Sequence, residues 1–291
     1  MKEPEGLAFK AYEIEEMADV YFFRPLGMVV ARAAKALSLT PTFVTALGAL
    51  VGVAGGALLY DSRLALAGFA LIVLHSILDS SDGQLARMTG QVTELGRVLD
   101  GAGGYVTHAA IYIAIISASL GRGAGPAVVL WAVLAAIANG AHAQMYDYHR
   151  SVYARVVMRR IARAPVGPAA PRGTGPGDIE RAAAGVVLGA YERIQSWLAG
   201  SHRTVEASID ERSSRGIVRA EDRERYRACF YWPVRGWNLL GDNTRFYAVG
   251  VLAWLQHLDW FFAFVLLPMN AAFALLWLWQ ARADRRFLAG L

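Results

Sequence analysis

The stretch TFVTALGALVGVAGGALLY, residues 42–60, contains no charged side chain and directly follows Pro41. A helix needs roughly 20 predominantly apolar residues to cross the hydrocarbon core of a bilayer. This run is therefore predicted to form the first membrane-spanning helix. Five further apolar blocks, bounded by charges or turn residues, predict five more spans at about 64–78, 98–120, 126–145, 246–258 and 260–279.

The residues before this first span are amphipathic. Between residues 7 and 38, apolar side chains such as Phe22 and Phe23 are interrupted by Arg24 and Arg32, a pattern typical of a helix in the membrane interface. Hydrophobic residues make up 55% of the 291-residue chain, which is too apolar for an ordinary soluble enzyme. We therefore predict an all-α integral membrane protein, with six transmembrane helices preceded by an interfacial amphipathic helix.

The charge pattern favours a membrane over nucleic acid as the partner. The formal net charge is +5, and the basic residues mostly flank the apolar blocks, where they would meet lipid headgroups. Lys and Arg are concentrated between the second and third spans, after the fourth span and at the end of the chain. This bias places both termini, the link between the second and third spans, and residues 147–243 on the cytoplasmic side. Cys229 is the only cysteine, so an intramolecular disulfide is excluded.

Composition divides the chain into four regions: 1–40 is interfacial, 41–146 holds the first four spans, 147–243 is a cytoplasmic insert, and 244–291 holds the last two spans and a basic tail. Within the insert, the Pro/Gly-rich residues 164–177 predict a connector. Apolar residues then recur at three- and four-residue spacing between Ile179 and Leu198, which predicts an amphipathic helix.

Three carboxylates surround the link between the second and third spans. Asp79 and Asp82 lie three residues apart and would share one helical face, while Asp100 opens the next helix. Antiparallel packing of the two helices would bring all three together at the cytoplasmic end of the bundle. Such hard oxygen ligands suit Mg²⁺ or Mn²⁺, with Ca²⁺ as a further alternative. Carboxylates near a membrane are costly and usually mark a function.

Small and basic residues accompany these carboxylates. Gly83, Ala86 and Gly96 leave room for a ligand to approach the backbone, and Arg87 offers a partner for a phosphate. The set as a whole predicts a pocket for a nucleotide and a metal ion. In the alternative interpretation, the aspartates are solvated helix ends paired with Arg87 and Arg97.

The segment from Asp79 to Asp100 resembles the signature of the CDP-alcohol phosphotransferase (CDP-alcohol phosphatidyltransferase) family, D-x2-D-G-x2-A-R-x8-G-x3-D-x3-D. The positions that match at the expected spacing are Asp79, Asp82, Gly83, Ala86, Arg87, Gly96 and Asp100. Upstream, residues 39–45 (LTPTFVT) are similar to the family's T-P-N-x-V-T, with Thr42 in place of Asn. The resemblance covers about residues 18–146.

The resemblance implies a fold and a reaction. Enzymes of this family have six membrane helices, pair as homodimers, and move a substituted phosphate group from a CDP-alcohol donor to an acceptor hydroxyl, releasing CMP. This implies a role in the synthesis of phospholipids or related phosphodiesters, with an active site that faces the cytoplasm. By the same resemblance, Asp79, Asp82 and Asp100 would hold Mg²⁺ or Mn²⁺. The nucleotide would contact Asp79, Asp82, Gly83, Ala86, Arg87 and Gly96.

The sequence departs from the signature at its last position, where Gly104 replaces an Asp that serves the family as metal ligand and proposed general base. His108 lies one helical turn beyond Gly104, and a neutral imidazole there is a candidate base. His75, in the second span, is placed similarly. Both histidines also suit polar packing against a neighbouring helix, with Asn139 and His142 as expected partners.

Other interpretations of Gly104 stay open. A metal-bound water or the acceptor's own phosphate would also serve as the proton acceptor, and the glycine would alternatively make room for a larger acceptor. The main alternative function is a non-catalytic relative that binds CDP-lipid and metal as a scaffold or sensor. A transporter that uses the aspartates as an ion relay is a third interpretation.

Overall fold

The structure is a computed structural model that describes residues 12–91, 94–157, 193–213 and 218–290, without the side chains of residues 94, 95, 97, 98 and 100. Within these ranges every regular element is a helix, as predicted. The predicted connector at 164–177 and most of the predicted helix at 179–198 lie outside the described residues.

A 3₁₀ turn (Tyr12–Ile14) and a π-helical turn (Asp19–Phe23) lead into the first group of helices. These are α1 (Arg24–Ala36), α2 (Pro41–Leu58), α3 (Ala65–Thr89), α4 (Glu94–Gly121) and α5 (Ala127–Val157). The second group is α6 (193–199), α7 (His202–Arg212), α8 (Ala220–Trp237), α9 (Asp242–Trp254), α10 (Phe261–Phe264) and α11 (Asn270–Ala289). Short turns at Asn238–Leu240, Leu258–Trp260 and Val265–Met269 connect the later helices.

Local sequence signals set the limits of the helices that carry the predicted pocket. At the start of α2, the Thr40 hydroxyl accepts a hydrogen bond from the Phe43 amide (3.2 Å), and Pro41 opens the first turn. After α3, Gly90 adopts a left-handed conformation (φ 71°) that glycine tolerates because it has no Cβ. α3 therefore continues without a break from its apolar half to this turn.

Five helical segments are long and apolar enough to cross a membrane: Pro41–Leu58, Ala65–Thr89, Gly101–Gly121, Ala127–Val157 and Leu258–Ala289. The first four correspond to the first four predicted spans, and the last includes the predicted span 260–279. The predicted span 246–258 falls on α9, which has 13 residues. At 1.5 Å per residue, α9 alone is shorter than a hydrocarbon core of about 30 Å. The predicted count of six is therefore not confirmed within the described residues.

α1 covers residues 24–36 of the predicted amphipathic region. Gly27 packs closely on α3, because a Cβ built there would lie 2.9 Å from Ser80 Oγ. Ala31 is also buried, whereas Val29 is 63% exposed. One face of α1 thus packs against α3, and another face is apolar and exposed. Its location in a membrane interface stays a prediction.

α2 packs against both α3 and α4. The approach to α3 is close enough to exclude side chains, since a Cβ at Gly55 would lie 2.8 Å from the Gly68 carbonyl oxygen. The approach to α4 is equally close, because a Cβ at Gly56 would lie 2.8 Å from the Ala110 Cβ. Small residues of this kind let membrane helices associate by van der Waals contact.

The described residues form two compact units. The first unit contains those within Met1–Asn139 and Asp242–Asn270, and the second contains those within Gly140–Gly241 and Ala271–Leu291. All residues of the predicted nucleotide and metal pocket, and His108, belong to the first unit.

Candidate active site

Asp79 and Asp82 lie one turn apart in the C-terminal half of α3. Asp79 is exposed, whereas Asp82 is 5% exposed. A buried carboxylate loses its hydration and has to recover that free energy from hydrogen bonds or cations. The two aspartates are therefore not equivalent: one is accessible, and the other is enclosed by the protein.

Thr45 of α2 holds the enclosed carboxylate. Its hydroxyl donates a hydrogen bond to Asp82 Oδ2 at 2.6 Å, and both side chains are buried. Hydrogen bonds to an ionised acceptor are shorter and stronger than neutral ones. The sequence reasoning assigned no role to Thr45, although this residue ends the LTPTFVT stretch. Its role depends on the approach of α2 to α3, which no local pattern specifies.

The basic and small residues of the predicted phosphate site lie together at the end of α3. A Cβ built at Gly83 would lie 3.4 Å from Arg87 Nη1, so the guanidinium is folded back over the glycine. Arg87 is exposed and Ala86 is half-buried. A planar guanidinium is able to bind a phosphate through two parallel hydrogen bonds.

α1 positions this end of α3. Gln84 Nε2 donates to the Arg24 carbonyl oxygen at 3.0 Å and to the Ser80 carbonyl oxygen at 3.1 Å. Near the other end of α1, Lys35 Nζ donates to the Met88 carbonyl oxygen at 3.5 Å. These contacts link α1 to the turns that carry Asp82 and Arg87.

Gly96 and Asp100 lie near the start of α4. The side chain of Asp100 is outside the described residues, so the meeting of three carboxylates stays a prediction. No group of three or more His, Cys, Asp or Glu side chains is placed to hold a metal ion in the part of the chain that the structure describes. The chemistry of the donor set still fits Mg²⁺ or Mn²⁺, because Asp79 and Asp82 supply hard carboxylate oxygens and Thr45 orients one of them.

Gly104 is surrounded by open space. A Cβ built at this residue meets nothing within 4 Å, and the same is true of Gly101. Packing therefore does not require glycine at position 104, in contrast to Gly55 and Gly56. An Asp would fit there without a backbone clash, so the missing carboxylate has no steric cause among the described residues.

His75 is a packing residue of α3. Its Nδ1 lies 2.9 Å from the Gly48 carbonyl oxygen of α2, and the side chain is buried. Since a carbonyl oxygen only accepts hydrogen bonds, Nδ1 carries the proton. This agrees with the packing interpretation, although the partner differs from the expected Asn139 and His142.

His108 has a different environment. Its Nδ1 lies 2.9 Å from the Gly104 carbonyl oxygen and therefore donates, which leaves Nε2 as the acceptor in the neutral ring. Nε2 has no hydrogen-bond partner among the described residues and lies 3.7 Å from Asp242 Oδ1. His108 Nε2 is thus a buried nitrogen without a hydrogen bond among the described residues, and the role of His108 as base stays a prediction.

Asp242 is held in turn by a polar chain that the sequence reasoning missed. Arg245 Nη1 donates to Asp242 Oδ1 at 2.9 Å, and Arg245 Nε donates to Asn139 Oδ1 at 2.8 Å. Asn139 Nδ2 donates to the Tyr112 hydroxyl. Burial lowers the pKa of Arg245, and the Asp242 carboxylate opposes this shift. The available signal was an opposite-charge pair three residues apart, directly before a predicted span.

Residues 38–170 match the sequence model of the CDP-alcohol phosphatidyltransferase family. The chain carries a CDP-alcohol phosphatidyltransferase domain. The match includes α2 to α5 and every residue of the predicted pocket, and it confirms the resemblance inferred from the signature. It covers somewhat less than half of the chain.

Curated relatives include the phosphatidylinositol phosphate synthases of Mycobacterium bovis (strain BCG / Pasteur 1173P2) and of Mycobacterium tuberculosis strains CDC 1551 and H37Rv. Each is 31% identical to the chain over 94 residues, which cover 32% of the chain and 43% of the relative. The chain therefore aligns with less than half the length of these relatives. These matches show what the chain is similar to, and five of its helical segments are long and apolar enough to cross a membrane.

Proposed function

We propose that the protein transfers a substituted phosphate group from a CDP-alcohol donor to an acceptor hydroxyl and releases CMP. The observation that carries this proposal is the enclosed Asp82 carboxylate, held by Thr45 one turn from the accessible Asp79 inside the matched domain. Burying a carboxylate within a membrane helix costs desolvation free energy, and residues of this kind usually mark a binding or catalytic site.

In this proposal, Asp79, Asp82 and Asp100 hold Mg²⁺ or Mn²⁺. When bound, the metal would neutralise the negative charge of the pyrophosphate and of the departing CMP. Arg87 contacts a phosphate oxygen, and Gly83, Ala86 and Gly96 line the nucleotide. The open surface at Gly104 gives the acceptor access to the same end of α4.

The proton of the acceptor hydroxyl passes to His108 Nε2. Asp242 stabilises the resulting imidazolium, and Arg245 keeps the Asp242 carboxylate in place. This assignment supplies the base that the signature lacks at Gly104. Proton transfer to a positioned side chain typically contributes about 10²- to 10⁴-fold to a rate.

The names of the curated relatives make inositol phosphate the first acceptor to test, followed by other hydroxyl-bearing polar headgroups and lipids. We include in the proposal a homodimer and an active site that faces the cytoplasm. The basic residues after the second and fourth spans are consistent with that orientation.

A second candidate function is a non-catalytic protein that binds CDP-lipid and metal. Gly104 favours this alternative, because it removes a carboxylate without any packing reason among the described residues. The two functions predict the same ligand binding and differ in turnover.

The test is CMP release by the purified full chain with Mg²⁺ or Mn²⁺, a CDP-alcohol and a panel of acceptors. We expect metal-dependent release that falls about 10³-fold in Asp82→Asn, since charge stabilisation by a metal is worth several kcal/mol and each 1.36 kcal/mol is tenfold. Asp61→Asn is the control, because it makes the same change at an exposed turn. Binding of CDP-lipid without CMP release from any acceptor would favour the non-catalytic function.

A further inference from the structure

A groove in the second unit has no role in the proposed transfer reaction. It lies between α8 and α11 and has a volume of about 380 Å³, within the range of roughly 300–1,000 Å³ that is usual for small-molecule sites. Its lining residues are Ala228, Cys229, Trp279, Arg282, Ala283 and Arg286.

Two hydrogen bonds link α8 to α11, one toward each end of this groove. Toward one end, Arg225 Nη2 donates to the Phe287 carbonyl oxygen at 3.0 Å. Toward the other, Trp237 Nε1 donates to Gln280 Oε1 at 3.3 Å. The helices therefore run antiparallel, and the small side chains of Ala228, Cys229 and Ala283 leave the space between these contacts open. The groove is thus a consequence of packing between two tethered helices.

Arg282 and Arg286 give the groove its charge. They lie four residues apart on α11, so they share one face, and both are exposed. Neither forms an ion pair or a hydrogen bond with any residue that the structure describes. Like charges at this spacing repel each other. An anion bound between them would remove the repulsion.

Trp279 indicates the kind of anion. It lies three residues before Arg282 on the same stripe of α11, toward the apolar part of the candidate span Leu258–Ala289. Tryptophan prefers the boundary between acyl chains and headgroups, and arginine prefers the anionic headgroups beyond it. The face therefore presents an aromatic ring and then two cations, in the order in which a phospholipid presents its acyl chains and its phosphate.

We propose that this groove binds the headgroup of an anionic phospholipid. Arg282 and Arg286 contact its phosphate, and Trp279 lies against the start of its acyl chains. The groove lining includes none of the signature carboxylates, and the proposal does not depend on the transfer reaction. Its test therefore needs no activity measurement.

Cys229 provides the reporter, because it lines the groove and is the only cysteine of the chain. The full-length protein is placed in phosphatidylcholine nanodiscs with or without phosphatidylglycerol, and the rate of Cys229 modification by an uncharged maleimide is measured. A bound lipid should slow modification by a factor of one plus the ratio of its concentration to its dissociation constant. We expect about fivefold protection when lipid exceeds that constant several times.

Protection should disappear in the double variant Arg282→Gln, Arg286→Gln and persist in Arg285→Gln. Arg285 is a matched control, because it is exposed on the same helix outside the groove lining. Each single groove variant should lose part of the protection, which keeps the proposal testable if the double variant does not purify in a folded state. Equal rates in the two nanodiscs, or the same loss in Arg285→Gln, would overturn the proposal. Equal protection by inorganic phosphate in phosphatidylcholine nanodiscs would also overturn it, in favour of a soluble anion.

Discussion

His108 in the first unit and His202 in the second are both histidines of polar clusters, but their second nitrogens meet different surroundings. His202 is fully buried; its Nδ1 lies 2.7 Å from Asp284 Oδ1 and its Nε2 lies 2.9 Å from the Tyr226 hydroxyl. His108 uses Nδ1 for the Gly104 carbonyl, while its Nε2 lacks a hydrogen bond among the described residues. Both ring nitrogens of His202 thus have hydrogen-bond partners, whereas His108 has one nitrogen without a hydrogen-bond partner among the described residues.

The polar cluster formed by Ser201, His202, Tyr226 and Asp284 has a structural role. Ser201 Oγ donates to Asp284 Oδ2 at 2.7 Å, so both carboxylate oxygens are engaged. Burial raises the pKa of Tyr226 well above its usual value, so the hydroxyl stays protonated and can donate to His202. Buried polar groups that are all hydrogen-bonded fix the packing of the helices that carry them. We therefore expect changes here to affect stability, and changes near His108 to affect turnover.

The largest expected effect is the loss of stability when the His202 cluster is disrupted. His202→Ala removes the hydrogen-bond partner of the buried Asp284 carboxylate and of the Tyr226 hydroxyl, and each buried polar group left unsatisfied costs about 1–3 kcal/mol. We expect the free energy of unfolding to fall by about 3 kcal/mol, measured by thermal or denaturant unfolding in detergent. His257→Ala, the same change at an exposed histidine, should leave stability nearly unchanged. A stable His202→Ala protein with no CMP release would reverse the roles that the comparison assigns.

The next effect is on turnover. His108→Gln keeps a polar side chain but removes the imidazole that accepts a proton, so CMP release should fall by about 10²-fold, the lower end of the range for a general base. Its unfolding transition should stay close to that of the unchanged protein. Full turnover in this variant would remove His108 as the base.

The next prediction restores the carboxylate that is missing at position 104 and tests whether it replaces His108 as the base. Gly104→Asp places an acid one turn before His108 in open space, and we expect it to recover activity in the His108→Gln background. Gly101→Asp is the matched control, since that position is equally open but is not the signature position. Rescue by both substitutions would indicate a general charge effect rather than a positioned base.

The smallest effect concerns the support of Asp82. Thr45→Val removes the hydroxyl that donates to Asp82 Oδ2 and keeps the shape of the side chain. Hydrogen bonds to charged groups are worth about 1.5–3 kcal/mol, so at the lower end of this range CMP release should fall roughly tenfold. Thr45→Ser, which keeps the hydroxyl, should stay near the original rate. An unchanged rate in the valine variant would show that Asp82 is positioned without Thr45.

Some of these features were predictable from the sequence, and others were not. The positions of α2 to α5 follow from apolar runs, and the pairing of Gly83 with Arg87 follows from helical spacing. Asp242 and Arg245, in the first turn of α9, were not predicted to have a role, because charges next to an apolar run usually mark topology. The count of six spans also stayed unconfirmed, since hydropathy did not reveal that α9 ends at Trp254 after 13 residues.

Hydropathy and residue spacing were enough to predict a helical membrane protein and to locate the carboxylates, the arginine and the glycine that replaces the last signature Asp. These properties are local, because hydropathy, spacing and motif are read along one segment at a time. Only the tertiary structure decided that Thr45 bonds Asp82, that position 104 is open, and that Asp242 faces His108 Nε2. Each of these depends on the approach of helices that lie far apart in the chain, which packing sets and no single segment encodes.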